Sequence, residues 1–425
     1  MVDDSTANVI LPSPLQIGSI FKNAGLTYMP GLTNGKKETA QYTSTYSQAL
    51  NMGVYGADLS YCVLNKQTQE ALDYLKSLHS LADKLGFGSI FESNSMTKRF
   101  QDNLNSEDSL TSIIADLQMD ADTYLSSNNQ KYISTVSFAG AWVESMYVGS
   151  KVYAQKKNAN VSERISEQMN ILENIIKALN NYKSQDSHIT EIIASFTNIE
   201  NNYRGYDEVK NSNKDTEELA KLSDAHIDEI SKEIQQLREK NYNILTHKLK
   251  KLFMKYSLSI CTLLFGAILS GQAQTNTNAP AAPASPASAA ANSGFCNIHD
   301  LSDSCKKVIK PFVYSSQSAV RVALKSEAQI KDIVFPAFQG AKYRVIINTV
   351  SMPSGTEVDV YDRDPGHSRS QQLFSTKTQG ISNFDVESRS GRIFVEYTIP
   401  PATATNFTGC SVVVFGFENS NGKAQ

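Results

Sequence analysis

Residues 247–274, HKLKKLFMKYSLSICTLLFGAILSGQAQ, divide this chain into two halves of different character. The stretch begins with a basic segment, 247–255, which is followed by an uncharged apolar run of 14 residues, Tyr256–Leu269. It ends on the small residues Gly271 and Ala273, separated by one position. A charged start, an apolar centre of this length and a small-x-small exit are the three parts of a secretory signal peptide. The sequence therefore predicts a signal-like segment in the middle of the chain.

The length of segment 244–273 leaves three interpretations open. As a cleaved signal that begins at Met254, it would make the chain a fusion or read-through of two proteins. As a membrane span it would extend to Ala273, which gives 18 residues where about 20 are needed. The basic flank would then keep the first half in the cytoplasm and the second half outside. A buried amphipathic helix is the third interpretation, which the smooth apolar run disfavours. Under the first two, the chain contacts a membrane through residues 253–273.

The composition is that of a globular protein with more than one domain. A chain of 425 residues with 40% hydrophobic and 20% charged residues predicts two or three domains. A net charge of −3, without a basic stripe interleaved with aromatic residues, argues against nucleic acid as a partner. An Ala/Pro/Ser tract at 279–291 is typical of an extended linker. We expect a helical domain at 1–243, the signal-like segment at 244–273, a linker at 274–294 and a β-sandwich at 295–425.

The first half shows the 3.6-residue period of amphipathic helices. Apolar residues recur at this spacing over Thr43–Lys84, and Gly86 ends that stretch in the manner of a glycine C-cap. Further helices are predicted from Asn105 to the break at Asn128-Asn129, over Ile133–Val148, from Asn160, over Ile189–Ile199 and over Glu217–Lys240. Asn160 with Glu163 is similar to a capping box. The pattern predicts an all-α half, in which Gly140 lets a neighbouring helix approach closely.

Four stretches of this half resemble a known family. They are PLQIGSIFK at 14–22, ALNMGVYGADLSY at 49–61, QTQ at 67–69 and AGAWVESMY at 139–147. These stretches are similar to a family of uncharacterised helical lipoproteins of bacterial envelopes, over about residues 11–205. The resemblance implies a helical fold and an envelope location, and it brings no catalytic residues because the family has no assigned activity. No lipoprotein signal with its modified cysteine precedes Met1, so we expect either a truncated start or a cytoplasmic version.

The second half changes to the two-residue alternation of β-strands. The pattern predicts strands at 319–324, 330–335, 343–347, 357–361, 372–375, 384–387, 392–397 and 411–417. Turn residues such as Pro353-Ser354-Gly355 separate several of them. Eight short strands in about 110 residues predict an antiparallel sandwich. The layout, with the strand Asp359-Val360-Tyr361-Asp362, resembles the small jelly-roll-like domains of secreted bacterial peptidases and surface proteins. It implies an extracytoplasmic accessory or binding module.

Cysteine usage differs between the halves. Cys62 stands alone in the first half and Cys261 lies in the apolar run, whereas Cys296, Cys305 and Cys410 fall in the last part. Three cysteines allow one disulfide and leave one thiol over. A Cys296–Cys305 bond would close a local loop, and a Cys305–Cys410 bond would tie the start of the domain to its last strand. The choice stays open, and either bond requires an oxidising compartment.

Two carboxylates on apolar helices are the candidates for chemistry in the first half. Asp58 and Glu144 lie beside tyrosines, and a facing pair in a water-accessible pocket would have shifted pKa values and mark a site. The plainer interpretation is a carboxylate pair that stabilises the bundle. Trp142 and Tyr55 fit a packed aromatic core better than a ligand groove.

The second half offers one group of possible metal ligands. Asp359, Asp362 and Asp364 could bind calcium or a glycan, although a solvated acidic turn is the plainer interpretation. The six histidines lack metal-binding spacing, and no serine-nucleophile elbow, phosphate-binding loop or dinucleotide-binding motif occurs in the sequence. We therefore assign no catalytic, cofactor-binding or metal-binding residue.

These observations favour a non-enzymatic structural or interaction role in a bacterial cell envelope, with the β half periplasmic or extracellular. Other envelope proteins are the expected partners. Such a protein should present exposed apolar grooves and no strongly perturbed acids. The alternatives are an envelope enzyme built on Asp58 and Glu144, or a sandwich that binds glycan or calcium.

Overall fold

The computed structural model describes residues 8–35, 39–93, 95–212, 220–240, 296–323, 325–401 and 408–419. The signal-like segment 244–273 and the linker 274–294 lie outside these ranges, so the expectations for them stay predictions. Within the described ranges, no helix combines the length and the apolar character needed to cross a membrane.

Helices form most of the first half. In chain order they are α1 (Pro14–Asn23), α2 (Thr45–Leu64), α3 (Thr68–Leu85), α4 (Ser89–Ser93), α5 (Met96–Asp102), α6 (Glu107–Ser127), α7 (Lys131–Gln155), α8 (Ala159–Asn180), α9 (Ser187–Gly205), α10 (Asp207–Lys210) and α11 (224–240), with a 3-10 turn at Thr39–Gln41. The helical prediction is confirmed in kind. A short strand, β1 (Asn8–Val9), is the exception to the all-α expectation.

Several helix boundaries differ from the predicted ones. The last helix begins at 224 and not at Glu217, because 220–223 are not helical. Two further boundaries differ for local reasons. The predicted helix at 43–84 is two helices, because Lys66 adopts a left-handed φ of 60° and the chain turns between α2 and α3. Gly86 caps α3 in the αL conformation, as predicted. The capping box at Asn160 is wrong, because Asn158 is the N-cap of α8 and its side chain accepts from the amides of Asn160 and Val161.

The pair α2–α7 lies at the centre of the helical half, and two glycines set its separation. A Cβ atom on Gly140 would lie 2.1 Å from the carbonyl oxygen of Leu50, and one on Gly53 would lie 1.6 Å from that of Ser137. Two helix backbones approach this closely only where no side chain intervenes. The predicted role of Gly140 is confirmed, and Gly53 has the same role on the facing helix.

The second half consists of one helix and two sheets. Its elements are α12 (Ile298–Lys306), β2 (Val313–Ala323), β3 (Gln329–Pro336), β4 (Lys342–Ser351), β5 (Glu357–Tyr361), β6 (Gln372–Thr376), β7 (Ile381–Glu387), β8 (Arg392–Ile399) and β9 (Thr408–Phe417). The sheet orders are β1-β3-β8-β5-β6 and β2-β9-β4-β7. All strand pairs within the described residues are antiparallel except β1 with β3. The eight predicted strands are confirmed, whereas the alternation pattern does not anticipate α12.

The two sheets face each other across an apolar core, in a sandwich-like arrangement. Phe335 of β3 stacks on Phe415 of β9 with ring centroids 4.1 Å apart. A disulfide joins Cys296 to Cys410, and Cys305 is a buried free thiol. Neither of the two pairings considered from the sequence is right, because α12 buries Cys305, while Cys296, two residues before α12, bonds to Cys410 of β9.

The helical half covers one side of the sandwich, where both sheets end. β1 pairs with β3 at the edge of the five-stranded sheet, and α6 packs on β2 at the edge of the four-stranded sheet. Gln16 of α1 is fully buried in this interface. Its amide nitrogen donates to the Tyr343 hydroxyl at 2.7 Å, and its amide oxygen accepts from the Ser315 hydroxyl. The two halves therefore pack together, and the helical half covers one edge of each sheet.

Candidate functional site

A cavity of about 680 Å³ lies between the helical half and the sandwich. Its walls come from α2, α6, α7 and the end of α8 on one side, and from β2 and residues 10–15 on the other. Because both halves contribute walls, the cavity exists only when they are packed together. Its volume is typical of a small-molecule site.

The lining of this cavity combines apolar and polar side chains. Apolar side chains on its walls include Leu59, Leu78, Phe87, Leu117, Leu125 and Phe138. Serine and asparagine side chains make up much of the remaining wall. Three basic side chains, Lys131, Lys177 and Arg392, and one acidic side chain, Asp122, also line it. Apolar walls with convergent polar groups are typical of a ligand site.

Asp122 is held on both of its oxygen atoms. The Tyr314 hydroxyl donates to Oδ2 at 2.7 Å, and Gln118 Nε2 donates to Oδ1 at 3.1 Å. Burial raises the pKa of Asp122 to about 6, against the smaller opposing effect of these two hydrogen bonds. Burial and the neighbouring Asp122 raise the pKa of Tyr314 well above its ordinary range. At neutral pH the pair is therefore mainly a carboxylate and a phenol.

The three basic side chains of the cavity differ in their partners. Glu173 lies 2.7 Å from the Lys177 ammonium and 3.5 Å from the Arg392 guanidinium, measured between oxygen and nitrogen atoms. Lys131 has no carboxylate partner among the residues that the structure describes. Burial lowers the pKa of Lys131, and the positive charge of Arg321 lowers it further.

The carboxylates predicted from the sequence meet at a different place, inside the helical half. Asp58 is fully buried and Glu144 is 1% exposed. Asn34 Nδ2 donates to Asp58 Oδ2 at 2.8 Å, and Arg238 Nη2 donates to Asn34 Oδ1 at 2.9 Å. Arg238 also forms an ion pair with Glu144, with a distance of 3.1 Å between Nε and Oε2. The cluster thus links α2, α7 and α11.

Burial raises the pKa of both carboxyl groups in this cluster. The charge of Glu144 adds to the increase at Asp58, whereas Arg238 opposes the increase at Glu144. The expectation of no strongly perturbed acids is therefore wrong. The two carboxyls are nevertheless closed to solvent, and neither lines the cavity of about 680 Å³. Their arrangement fits a network that stabilises the bundle.

The aromatic residues near this cluster form core packing, as predicted. Trp142 and Tyr55 are buried, and Trp142 packs edge-to-face on Phe196 with ring centroids 5.5 Å apart. Tyr147 lies beneath the guanidinium of Arg238, 4.4 Å from ring centroid to carbon. These rings leave no open groove of their own.

The aspartates of the calcium hypothesis already accept hydrogen bonds near their own hairpin. Asp362 accepts from the Gln371 amide and Asp364 from the Gly366 amide, each at 2.8 Å, while Asp359 accepts from the Gln372 side chain at 2.7 Å. Within the described part of the chain, no group of three or more His, Cys, Asp or Glu side chains could hold a metal ion.

The cavity residues are not apparent from the sequence. Asp122 and Tyr314 are 192 positions apart, so only tertiary packing brings them together. Lys131 leaves a weak signal, because it occupies the first turn of a helix, where the helix dipole disfavours positive charge. A positive charge at this position needs a compensating negative group, and the sequence does not identify one.

Comparison with protein-family models gave no match to this chain, and searches of curated proteins and solved structures gave none either. The resemblance to helical envelope lipoproteins therefore stays a prediction, and the argument for function rests on the geometry of the cavity.

Proposed function

We propose that this chain is a non-enzymatic binding protein of a bacterial cell envelope, in which the helical half and the sandwich act as one unit outside the cytoplasm. The observation that carries this proposal is the cavity of about 680 Å³ that the two halves enclose together. Because most of its wall is apolar, its occupant should be a small molecule with an apolar body.

The packing of the halves supports a common compartment for both. β1 cannot pair with β3, nor Gln16 be buried against Tyr343, across a membrane whose hydrocarbon core is about 30 Å thick. This argues against a cytoplasmic helical half joined to an external sandwich. The Cys296–Cys410 disulfide supports an oxidising compartment. Residues 253–273 would then contact the membrane from its outer side without spanning it, because a single span would place the two halves on opposite sides.

The enzymatic alternative has less support. Asp58 and Glu144 are closed to solvent and tied to Arg238, so a substrate has no described route to them. The calcium alternative also has less support, because Asp362 and Asp364 already accept backbone hydrogen bonds in their loop. Binding in the shared cavity requires neither group.

Filling the cavity tests the binding proposal. Ala121 lines the cavity and is 8% exposed, whereas Ala154 of α7 is exposed and does not line it. We expect the full-length protein and Ala154→Trp to bind the neutral apolar dye Nile red equally, and Ala121→Trp to lose most of this binding with its helical circular dichroism retained. Equal dye binding by all three proteins would contradict the proposal.

The location is tested by the intact mass of the protein in fractionated cells, with a tag at each end. A full-length species of about 46.8 kDa in the envelope fraction would support an anchored protein. A separate C-terminal species beginning near Gln274 would identify residues 254–273 as a cleaved signal and would contradict the proposal that the two halves act as one unit. Recovery of the whole chain in the cytoplasmic fraction would contradict the proposed location.

A further inference from the structure

The charged side chains that line the cavity indicate which class of ligand it would bind. Three of the four charged side chains that line it are basic. Two of these, Lys177 and Arg392, contact Glu173, so their charge is partly compensated. The acidic member, Asp122, accepts hydrogen bonds from neutral groups and compensates none of them. Lys131 is therefore the basic group of the cavity whose counter-charge is missing from the described residues.

A second cation adds to the positive charge at Lys131. Arg321 of β2 is exposed and is not one of the lining residues, but it acts on Lys131 as a like charge, and among the described residues it forms no ion pair. Its Nη2 donates to the carbonyl oxygen of Ser126, a lining residue near the end of α6, at 2.8 Å. The positive end of the dipole of α7 lies at Lys131, because Lys131 is the first residue of that helix. Lys131 and Arg321 repel each other, and a bound anion would reduce this cost.

We propose that the cavity binds an anionic amphiphile, whose carboxylate or phosphate head is held at Lys131 and Arg321 and whose apolar chain occupies the space between α2, α6 and α7. This inference rests on the proposed function, because it names the ligand class of the same cavity. Charge-assisted hydrogen bonds from an ammonium and a guanidinium suit both kinds of head. Leu59, Leu117 and Phe138 supply the apolar wall for the chain.

Asp122 opposes the binding of such a head. It lies on α6 one helical turn before Ser126, the residue whose carbonyl oxygen accepts from Arg321. At neutral pH its carboxylate repels an anionic head, and the positive charges of Lys131 and Arg321 must outweigh this repulsion.

The test uses the full-length protein and three probes with the same hydrocarbon chain. Hexadecanoate, hexadecyl phosphate and the neutral hexadecanol are titrated against bound Nile red at neutral pH. We expect the two anions to displace the dye at concentrations lower by about tenfold than hexadecanol. Lys131→Gln should weaken both anions by about tenfold and leave hexadecanol unchanged. The control Lys98→Gln changes an exposed lysine that does not line the cavity, and it should alter none of the three.

The outcomes separate this inference from the function on which it rests. If hexadecanol displaces the dye as well as the anions do, or if Lys131→Gln weakens all three probes equally, the cavity still binds apolar molecules but the anionic class is overturned. If neither the dye nor any probe binds, the proposed function fails and this inference fails with it. Tighter binding of hexadecyl phosphate would indicate a phospholipid-like head, and tighter binding of hexadecanoate a free fatty acid; either supports the inference.

Discussion

The surroundings of Asp122 and Asp58 raise the pKa of both carboxyl groups. In both, burial is the largest cause of the raised pKa, and the hydrogen bonds from neighbouring side chains only reduce the effect. A carboxyl whose pKa is raised on folding binds its proton more tightly in the folded than in the unfolded state. Its contribution therefore favours the folded state at low pH and is lost as the pH rises through the folded pKa.

For Asp122 this linkage gives a defined pH window. Its pKa is 3.8 when unperturbed and about 6 in the folded protein, and one pKa unit corresponds to about 1.4 kcal/mol. We expect its contribution to the free energy of unfolding to fall by about 2–3 kcal/mol between pH 4 and pH 6 and to stay constant above that. Urea unfolding at the two ends of this window measures the change. Asp122→Asn should lose this fall in the free energy of unfolding between pH 4 and pH 6, whereas the exposed control Asp102→Asn should keep it. An unchanged pH dependence in Asp122→Asn would show that Asp122 does not cause it.

Arg238 compensates a buried acid, so its removal should be costly. The Arg238 side chain is mostly buried and its partner Glu144 is almost fully so. We expect Arg238→Met to lower the free energy of unfolding by about 3 kcal/mol, because it leaves a carboxyl buried without its cation. Adding Glu144→Gln to that variant should cost less than the same change in the wild type. Arg204→Met removes a more exposed arginine, which pairs with Glu200 and Glu173, and should cost less than about 1 kcal/mol. Equal losses at Arg238 and Arg204, in chemical denaturation, would show that burial of the pair is unimportant.

The secondary elements follow from local patterns where the pattern is long. Eight strands match the predicted ones because alternation of period two extends over four or more residues in the predicted segments. The boundary between α2 and α3 was less apparent, since the turn at Asn65-Lys66-Gln67 contains neither glycine nor proline. β1, at two residues, is too short to show a period at all.

The contact between α2 and α7 depends on glycine at Gly140. A methyl group there would lie 2.1 Å from the carbonyl oxygen of Leu50, so the helices would have to separate. We expect Gly140→Ala to lower the free energy of unfolding by about 3 kcal/mol. Gly56 on α2 is a matched control, because its added methyl would meet only Pro14 at 4.0 Å. Gly56→Ala should be neutral or stabilising by up to about 1 kcal/mol, through helix propensity. Thermal denaturation that ranks the two variants in the opposite order would disprove the close approach.

At the scale of the whole molecule, the two halves share an interface that contains buried polar groups. Hydrogen bonds across this interface join Gln16 to Ser315 and to Tyr343. Separating the halves would therefore leave all three side chains without these hydrogen-bond partners. The cavity depends on the same contact, because its walls belong to both halves. We infer that the halves unfold together.

Two buried thiols report on this coupling in one experiment. Cys62 lies in the helical half and Cys305 in α12; neither forms a disulfide, and both are fully buried. Pulsed alkylation across a denaturant series, with each cysteine located by peptide mass, should give the same unfolding midpoint for both. Gly140→Ala should shift the two midpoints by the same amount, although it lies far along the chain from Cys305. Separate midpoints would mean that the halves are independent units.

The sequence by itself determined the kinds of element, their order and the change of character at residues 247–274, because hydrophobic periodicity is a local property. It also placed Gly140, Asp58 and Glu144 on helices, and it limited the second half to one disulfide. Tertiary packing determines which cysteines pair, that Asn34 and Arg238 link Asp58 to Glu144, and that Lys131 lines a cavity without a counter-charge in the described residues. These features join residues that are tens to hundreds of positions apart. Their contacts depend on how helices and strands pack against one another, and a local sequence pattern does not predict this packing.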